Sequence, residues 1–287
     1  MSAKILDGKR IASEIKEELK IEMSELAQKG IAPGLAVILV GNDPASKVYV
    51  ASKKRACEEI GINSKVLEMP ENTTQQELED TIEKLNQDKK IHGILVQLSL
   101  PGHIDEEKII ESIDPKKDVD CFHPENVGRL SMGMGELMPC TPAGIIEILK
   151  RNNIEIAGKE CVVVGRSNIV GKPMALMLLA ENGTVTIAHS KTKNLEAVAR
   201  RADILVAAVG KVGLITKNMV KKGAVIVDVG MNRLSNGKLV GDVGFDQVKE
   251  IASAITPVPG GVGPMTIAML MKNTVEAAKN SNLRTYE

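Results

Sequence analysis

The chain has 287 residues, with 37 basic and 37 acidic side chains and only four aromatic ones, Tyr49, Phe122, Phe245 and Tyr286. Zero net charge gives no overall field to attract polyanions, and four aromatics offer little for base stacking on single strands, so a nucleic-acid binder is not expected. At 43% hydrophobic and 26% charged residues, the composition is that of a globular protein long enough for two ordinary domains.

Cys57, Cys121, Cys140 and Cys161 are widely spaced, with no C-x-x-C pair, and read as reduced, mostly buried thiols. His92, His103, His123 and His189 are equally scattered, so no metal is expected. Residues 1–10 lack the apolar core of a signal peptide, and no apolar run approaches the ~18 residues that span a bilayer. A cytoplasmic protein without a membrane partner is the expectation.

Short β-branched runs alternate with longer amphipathic stretches, the pattern of an α/β protein with mainly parallel strands. In the first half, strands are predicted over 35–40, 65–69 and 93–97, and helices over 9–29, 46–60 and 73–87. The last helix opens on a capping box at Thr73 and Gln76. Tyr49 and Lys53 stand four apart in a helical pattern and share one face. A lysine works as a general acid or base when burial lowers its pKa toward neutrality, the plainer alternative being a surface Tyr–Lys pair. The same Y-x-x-x-K spacing occurs in short-chain dehydrogenases, but there it follows the cofactor glycines, whereas here it precedes any such turn by over a hundred residues.

Gln97 closes the third strand, where polar residues of an open parallel sheet face the ligand crevice. Asp118-Val119-Asp120 has period-two spacing, which would aim both carboxylates one way from an extended segment. Such a pair suits a metal, a helix cap or the paired donors of a planar heterocycle, unless both acids are simply solvated.

Residues 131–139 are rich in Gly and Met, have no period and read as a hinge between two domains. Thr141 and Pro142 then make a helix start, as N-cap and first helical residue. A strand over 161–165 runs through Arg166-Ser167-Asn168-Ile169-Val170-Gly171-Lys172 into a helix near Pro173 that stops at Asn182-Gly183. A strand ending in Gly165, a turn and a helix start place free N–H groups where a pyrophosphate fits. Ser167 stands where the usual G-x-G-x-x-G has its second glycine, so a tight turn of structural use only is the alternative.

The next strand, 184–188, ends in His189-Ser190-Lys191-Thr192. An NAD site has an acidic residue there for the ribose hydroxyls; its absence favours NADP, with Arg166 available for the 2′-phosphate. Further strands are predicted over 204–209 and 224–229, and a last helix over 265–279. Before that helix, Pro257-Val-Pro-Gly-Gly-Val-Gly-Pro264 packs three glycines and three prolines into eight residues, a rigid loop better suited to lining a ligand than to filling a core.

These pieces, in this order, resemble the bifunctional methylenetetrahydrofolate dehydrogenase/cyclohydrolase family. The likeness runs from V-G-N-D-P-A-S-x-x-Y-V-A-S-K (40–53) through L-V-Q-L (95–98), K-D-V-D (117–120) and P-C-T-P-A-G (139–144). It continues through V-V-V-G-R-S-N-I-V-G-K-P (162–173) to I-T-P-V-P-G-G-V-G-P-M-T (255–266). The resemblance implies two α/β domains flanking a cleft: a folate-binding catalytic domain over 1–140, with a C-terminal helix at 264–287 returning to it, and a Rossmann-like NADP-binding domain over 141–263. It implies a homodimer that oxidises methylenetetrahydrofolate with NADP and hydrolyses the methenyl product to 10-formyltetrahydrofolate. Lys53 would be the general acid/base, Gln97 its hydrogen-bond partner, Tyr49 a stacking surface for the folate, and Asp120 the acceptor for the pterin. Leu98, Pro259, Gly260, Gly261, Val262 and Gly263 would line the folate, and Gly165, Arg166, Ser167, Ser190 and Met231 would contact the cofactor. The family commonly has glycine after D-V-D, where this chain has Cys121; a positive φ there would strain a cysteine.

Overall fold

The structure, a computed structural model, describes residues 2–283. The chain opens with β1 (Lys4–Ile5) and α1 (Gly8–Gln28), followed by β2 (Gly34–Val40), α2 (Pro44–Ile60), β3 (Asn63–Met69), α3 (Gln75–Gln87) and β4 (Gly93–Val96). Three helices come next, α4 (Glu106–Ser112), α5 (Pro124–Ser131) and α6 (Cys140–Arg151). Then follow β5 (Glu160–Val164), α7 (Gly171–Ala180), β6 (Thr184–Ala188), α8 (Leu195–Ala199), β7 (Ile204–Ala207) and β8 (Val225–Asp228). The short pair β9 (Asn232–Arg233) and β10 (Leu239–Val240) precedes α9 (Phe245–Val248), β11 (Ala254–Ile255) and α10 (Val262–Leu283).

The chain divides into two compact units. One comprises Glu14–Cys140 and the segment from Ile267 onward; the other comprises Thr141–Thr266 and the N-terminal stretch through Ser13. The sequence placed residues 1–13 with the first domain, and the structure differs for a physical reason. β1 pairs in parallel with β11, Lys4 opposite Ala254, and Leu6 N–H reaches Ile255 O at 2.8 Å. Two-residue strands leave no periodic trace, so this backbone pairing was invisible in the pattern. Of the expected returning segment 264–287, the last four positions lie outside the described residues.

The first unit holds a three-stranded parallel sheet in the order β3-β2-β4. All seven residues of β2 are buried, as a central strand covered on both faces requires. Ala36, Ile38, Ile94, Leu78 and Ile82 form its core with α3, each Ile or Leu worth roughly 1.5–3 kcal/mol when fully buried. The helices carry their own punctuation. Asp43 accepts from Ser46 N–H at 2.7 Å to start α2, Pro44 sets its first turn, and Gly61, at φ 87°, ends it. The capping box of α3 is Thr74 with Glu77, one residue beyond the expected pair, because the Thr73 hydroxyl donates to Pro70 O instead.

The second unit holds a six-stranded sheet in the order β1-β11-β8-β7-β5-β6, with every adjacent pair parallel. β5 has its sequential successors on opposite sides, β6 on one and β7 on the other, so the strand order reverses between β5 and β7. The carboxyl ends of those strands are where open parallel sheets bind ligands. Thr141 is not the N-cap of α6, which begins at Cys140; its hydroxyl bonds that of Thr266 at 3.0 Å, a tertiary tie.

Candidate active site

In the first unit, α2 brings Tyr49 and Lys53 onto one face, with the Tyr49 ring exposed and Lys53 half-buried. The Lys53 ammonium donates to Gln97 Oε1 at 2.9 Å from the end of β4, and Gln97 Nε2 donates to Leu98 O at 2.7 Å, which fixes the amide's orientation. The Leu98–Ser99 peptide is cis. Burial holds the Lys53 pKa below the ordinary lysine range, and the nearby charge of Asp120 partly opposes that. Burial also pushes Asp120 up to about 6, against the pull of Lys53 and a hydrogen bond from the Cys140 thiol. An amine eased toward its neutral form beside a carboxylate is chemically suited to acid–base work.

Asp118 and Asp120 do not act as a pair. Residues 119 and 120 lie in a turn rather than an extended strand, and Asp118 faces inward. Its carboxylate accepts from His123 N–H at 2.8 Å and Asn126 Nδ2 at 2.9 Å, anchoring the turn and the start of α5. Of the readings open for the two acids, Asp118 is a structural anchor, and Asp120 alone lies beside Lys53. Cys121 sits at φ 62°, the left-handed value at which a cysteine is strained, with its buried thiol directed at Leu137 O, 3.3 Å away.

Two residues of this site escaped sequence reasoning. Cys140, fully enclosed, has its pKa raised well above the ordinary thiol value by burial and so keeps its proton to donate. Asn273 on α10 donates to Val119 O at 2.8 Å and Met138 O at 2.7 Å, clamping the turn that carries Asp120 from behind. A lone Asn in the helical pattern gives no signal for this; only the fold places it 154 positions away from its partner.

In the second unit the turn after β5 matches the demands of a dinucleotide. Gly165 has φ 140°, and a Cβ there would collide with Ala208 O; one at Gly171 would collide with the backbone of Gly165. Both glycines let three backbone segments converge at the sheet's reversal point. The Ser167 hydroxyl accepts from Val170 N–H at 3.2 Å and Gly171 N–H at 3.3 Å, shaping the entry to α7. Arg166 is exposed at the turn, and Ser190 is exposed beyond β6, with no carboxylate in the 189–192 turn. The residues present therefore fit a nicotinamide nucleotide.

The Pro/Gly loop belongs to this unit. Val258–Pro259 is cis, Gly260 has φ 104°, and α10 begins at Val262. Lys9 N–H donates to Gly260 O at 2.9 Å, so the start of α1 is fastened to the loop. Met231, partly exposed, lies against Gly263. Thus Lys53, Gln97, Leu98, Tyr49 and Asp120 belong to one unit, and Pro259 to Gly263, Gly165 to Ser167, Ser190 and Met231 to the other. Among the described residues no cluster of His, Cys, Asp and Glu suits a metal ion.

A parallel sheet with a phosphate-ready turn at its reversal point, in a chain that also builds a lysine–carboxylate centre, defines a nicotinamide-nucleotide oxidoreductase with a second, acid–base capability. Residues 6–120 match the family model of the tetrahydrofolate dehydrogenase/cyclohydrolase catalytic domain, and residues 139–282 match its NAD(P)-binding domain. The chain belongs to the tetrahydrofolate dehydrogenase/cyclohydrolase family and has the two enzyme activities of that family. It is 65% identical over 279 residues to the bifunctional protein FolD of Acetivibrio thermocellus, covering 97% of this chain and 98% of that one. The crystal structure of the bifunctional FolD enzyme of Campylobacter jejuni superposes with a TM-score of 0.96 at 54% identity, over 98% of this chain and 100% of that one. The Trypanosoma brucei enzyme, solved with NADP cofactor and an inhibitor, gives 0.95 at 40% identity, over 98% and 99%.

Proposed function

We propose that the chain uses NADP to oxidise 5,10-methylenetetrahydrofolate to 5,10-methenyltetrahydrofolate and hydrolyses that product to 10-formyltetrahydrofolate. The observation that carries this reading is the Lys53 ammonium held 2.9 Å from Gln97 Oε1, with Asp120 beside it. NADP, when bound, accepts a hydride from the methylene carbon, which leaves a cationic methenyl bridge. In the hydrolysis, neutral Lys53 takes a proton from the water that adds to the bridge carbon. The resulting ammonium returns a proton to the ring nitrogen N5 as its bond to that carbon breaks, and the carbinol hydroxyl releases its proton to solvent as the formyl carbonyl forms. Gln97 keeps the amine aimed by accepting from it, and burial shifts it toward the neutral form.

Asp120 is assigned to the donors of the pterin, Tyr49 to stacking against it, and Leu98, Pro259, Gly260, Gly261, Val262 and Gly263 to lining the folate. Gly165, Arg166, Ser167, Ser190 and Met231 are assigned to the cofactor. The Trypanosoma brucei relative's bound NADP supports this, as does the carboxylate-free end of β6 beside an exposed Arg166. We further assign domain limits of 1–140 with 264–287 and 141–263, amended so that residues 1–13 join the nucleotide unit. A homodimer is supported by β6, whose outer edge has no partner strand among the described residues and which exposes Ile187, with Leu179 exposed on the preceding α7. Four free, buried cysteines suit the reducing cytoplasm. Among the described residues no helix is long and apolar enough to cross a membrane.

An absorbance assay tests the reading directly. The purified chain should form NADPH only when both NADP and methylenetetrahydrofolate are present, and should consume methenyltetrahydrofolate without any nucleotide, faster than buffer alone. Failure of both reactions would remove the assignment.

A further inference from the structure

Two D-V-G triplets, Asp228-Val229-Gly230 and Asp242-Val243-Gly244, stand fourteen residues apart and interlock. Both carboxylates are almost fully buried, Asp242 at 0% exposure and Asp228 at 3%. The Asp228 carboxylate occupies the place a Cβ on Gly241 would take, and the Asp242 carboxylate the place a Cβ on Gly230 would take. Each aspartate therefore requires a glycine beside the other.

Among the described residues no cation pairs with Asp242; three backbone N–H groups and one side-chain amide meet its carboxylate instead. Its Oδ2 accepts from Val209 N–H at 2.8 Å and Gly210 N–H at 3.0 Å, and its Oδ1 from Lys211 N–H at 2.8 Å and Asn232 Nδ2 at 3.0 Å. Asp228 accepts from Gly230 N–H and Asp242 N–H, both at 2.9 Å, and from Val243 N–H at 3.0 Å. Its own N–H donates to Thr256 Oγ1 at 2.8 Å, at the base of the Pro/Gly loop. Three consecutive N–H groups turned onto one carboxylate fix the course of residues 209–211, the loop that leaves β7. That loop flanks the reversal point of the sheet, opposite the Gly165 turn, and Asn232 directly follows Met231.

We propose that Asp228 and Asp242 are positioning residues of the dinucleotide site, a pair of interlocked carboxylates that set the β7 loop and the Met231 segment in the shape the nucleotide requires. The proposal rests on the nucleotide unit binding NADP. β6 and β7 lie on opposite sides of β5, so the loop leaving β7 and the 189–192 turn leaving β6 flank the Gly165 turn from opposite sides, and the β7 loop is assigned to the part of the nucleotide that NAD and NADP share. Removing the carboxylate should weaken both nucleotides by the same factor.

The experiment measures dissociation constants of NADP and NAD by calorimetry on the purified protein and on Asp242→Ala, Gly230→Ala, Asn232→Ala and the Asp242→Ala/Gly230→Ala double variant. Loss of a hydrogen-bonded charge predicts at least about a ten-fold rise in both constants for Asp242→Ala, at an unchanged NADP-to-NAD ratio. Gly230→Ala should reproduce it by displacing the carboxylate, and the double variant should be no weaker than Asp242→Ala, since the clash then has no target. Asn232→Ala, which removes one donor and leaves the carboxylate, should show a smaller shift in the same direction, and keeps the test open if the aspartate variants do not fold. Hydrolysis of methenyltetrahydrofolate without nucleotide should stay within about two-fold, which separates positioning from general unfolding. Constants within two-fold of the parent in the folded variants, or a loss confined to NADP, would overturn the proposal. Failure of the parent itself to bind either nucleotide would instead overturn the reading on which it rests.

Discussion

The Lys53 centre of one unit and the Asp242 carboxylate of the other handle buried charge in opposite ways. Around Lys53, burial leaves an amine and a carboxylate without enough partners: the amine is pushed toward neutrality, and Asp120 titrates near 6. Around Asp242, four donors converge on the carboxylate, and the side chain shapes the backbone. A carboxylate short of partners is available to a ligand, whereas one fully supplied with donors is architecture. The contrast separates chemistry from shape, and each variant below should touch one of them alone.

The largest effect is expected for Lys53→Met, which removes the acid–base group and should cut cyclohydrolase turnover ~10²–10⁴-fold. NADP affinity, measured by calorimetry, should not move. A variant retaining half the parent's hydrolysis rate would show that the lysine is not the proton carrier.

Asp120→Asn comes next. An amide cannot accept pterin donors on both of its terminal atoms, and losing a charged partner costs on the order of 1.5–3 kcal/mol of folate binding. The parent's kcat/KM for methenyltetrahydrofolate should fall as pH drops through about 6, where Asp120 takes up its proton, and the variant should lose that acid limb. Stability runs the other way. Because the folded pKa is raised above the unfolded one, the stability contributed by Asp120 is fully present below pH ~4 and is lost as pH rises through about 6. The unliganded variant should therefore melt no lower than the parent at pH 7.5, and a lower Tm would mean that the ionised carboxylate supports the fold.

Arg166→Ala should act on the nucleotide alone. Losing one charged pair with the 2′-phosphate predicts a roughly ten-fold narrowing of the NADP-over-NAD preference in kcat/KM, through NADP. An unchanged ratio would mean that the phosphate is read elsewhere.

The smallest change is expected from Cys121→Gly. Left-handed backbone costs an L-residue roughly 1–2 kcal/mol, and the glycine recovers that while giving up a buried thiol of similar worth. Thermal denaturation should place the variant within about 1 kcal/mol of the parent, a few degrees in Tm at most. A loss above about 2 kcal/mol would show that thiol packing outweighs backbone strain.

Sequence patterning found the regular elements wherever a strand or helix was long enough to show a period. β2, with seven buried residues, and α3, with its capping box, were legible to within a residue or two. β1 and β11, of two residues each, were not, so the N-terminal stretch was placed in the wrong unit. At the site, Lys53 and Tyr49 were visible as a spacing, but which carboxylate of Asp118-Val119-Asp120 faces inward depends on Asn126 in α5 and on His123 at its N-cap, a helix the pattern did not reveal. The roles of Asn273 and Asp242 depend on contacts between distant segments. The repeated D-V-G would have been the only local hint of the second.

The pairing of Lys4 with Ala254 has a consequence for how the protein is made. Synthesis at about 5–20 residues per second separates the emergence of these two strands by roughly 12–50 seconds. Through that interval the first strand of the nucleotide unit has no partner, while the lysine unit is still without the helix that carries Asn273. The two units are therefore completed within a few seconds of each other. A break at the apparent boundary after Cys140 would leave neither half with a full set of elements.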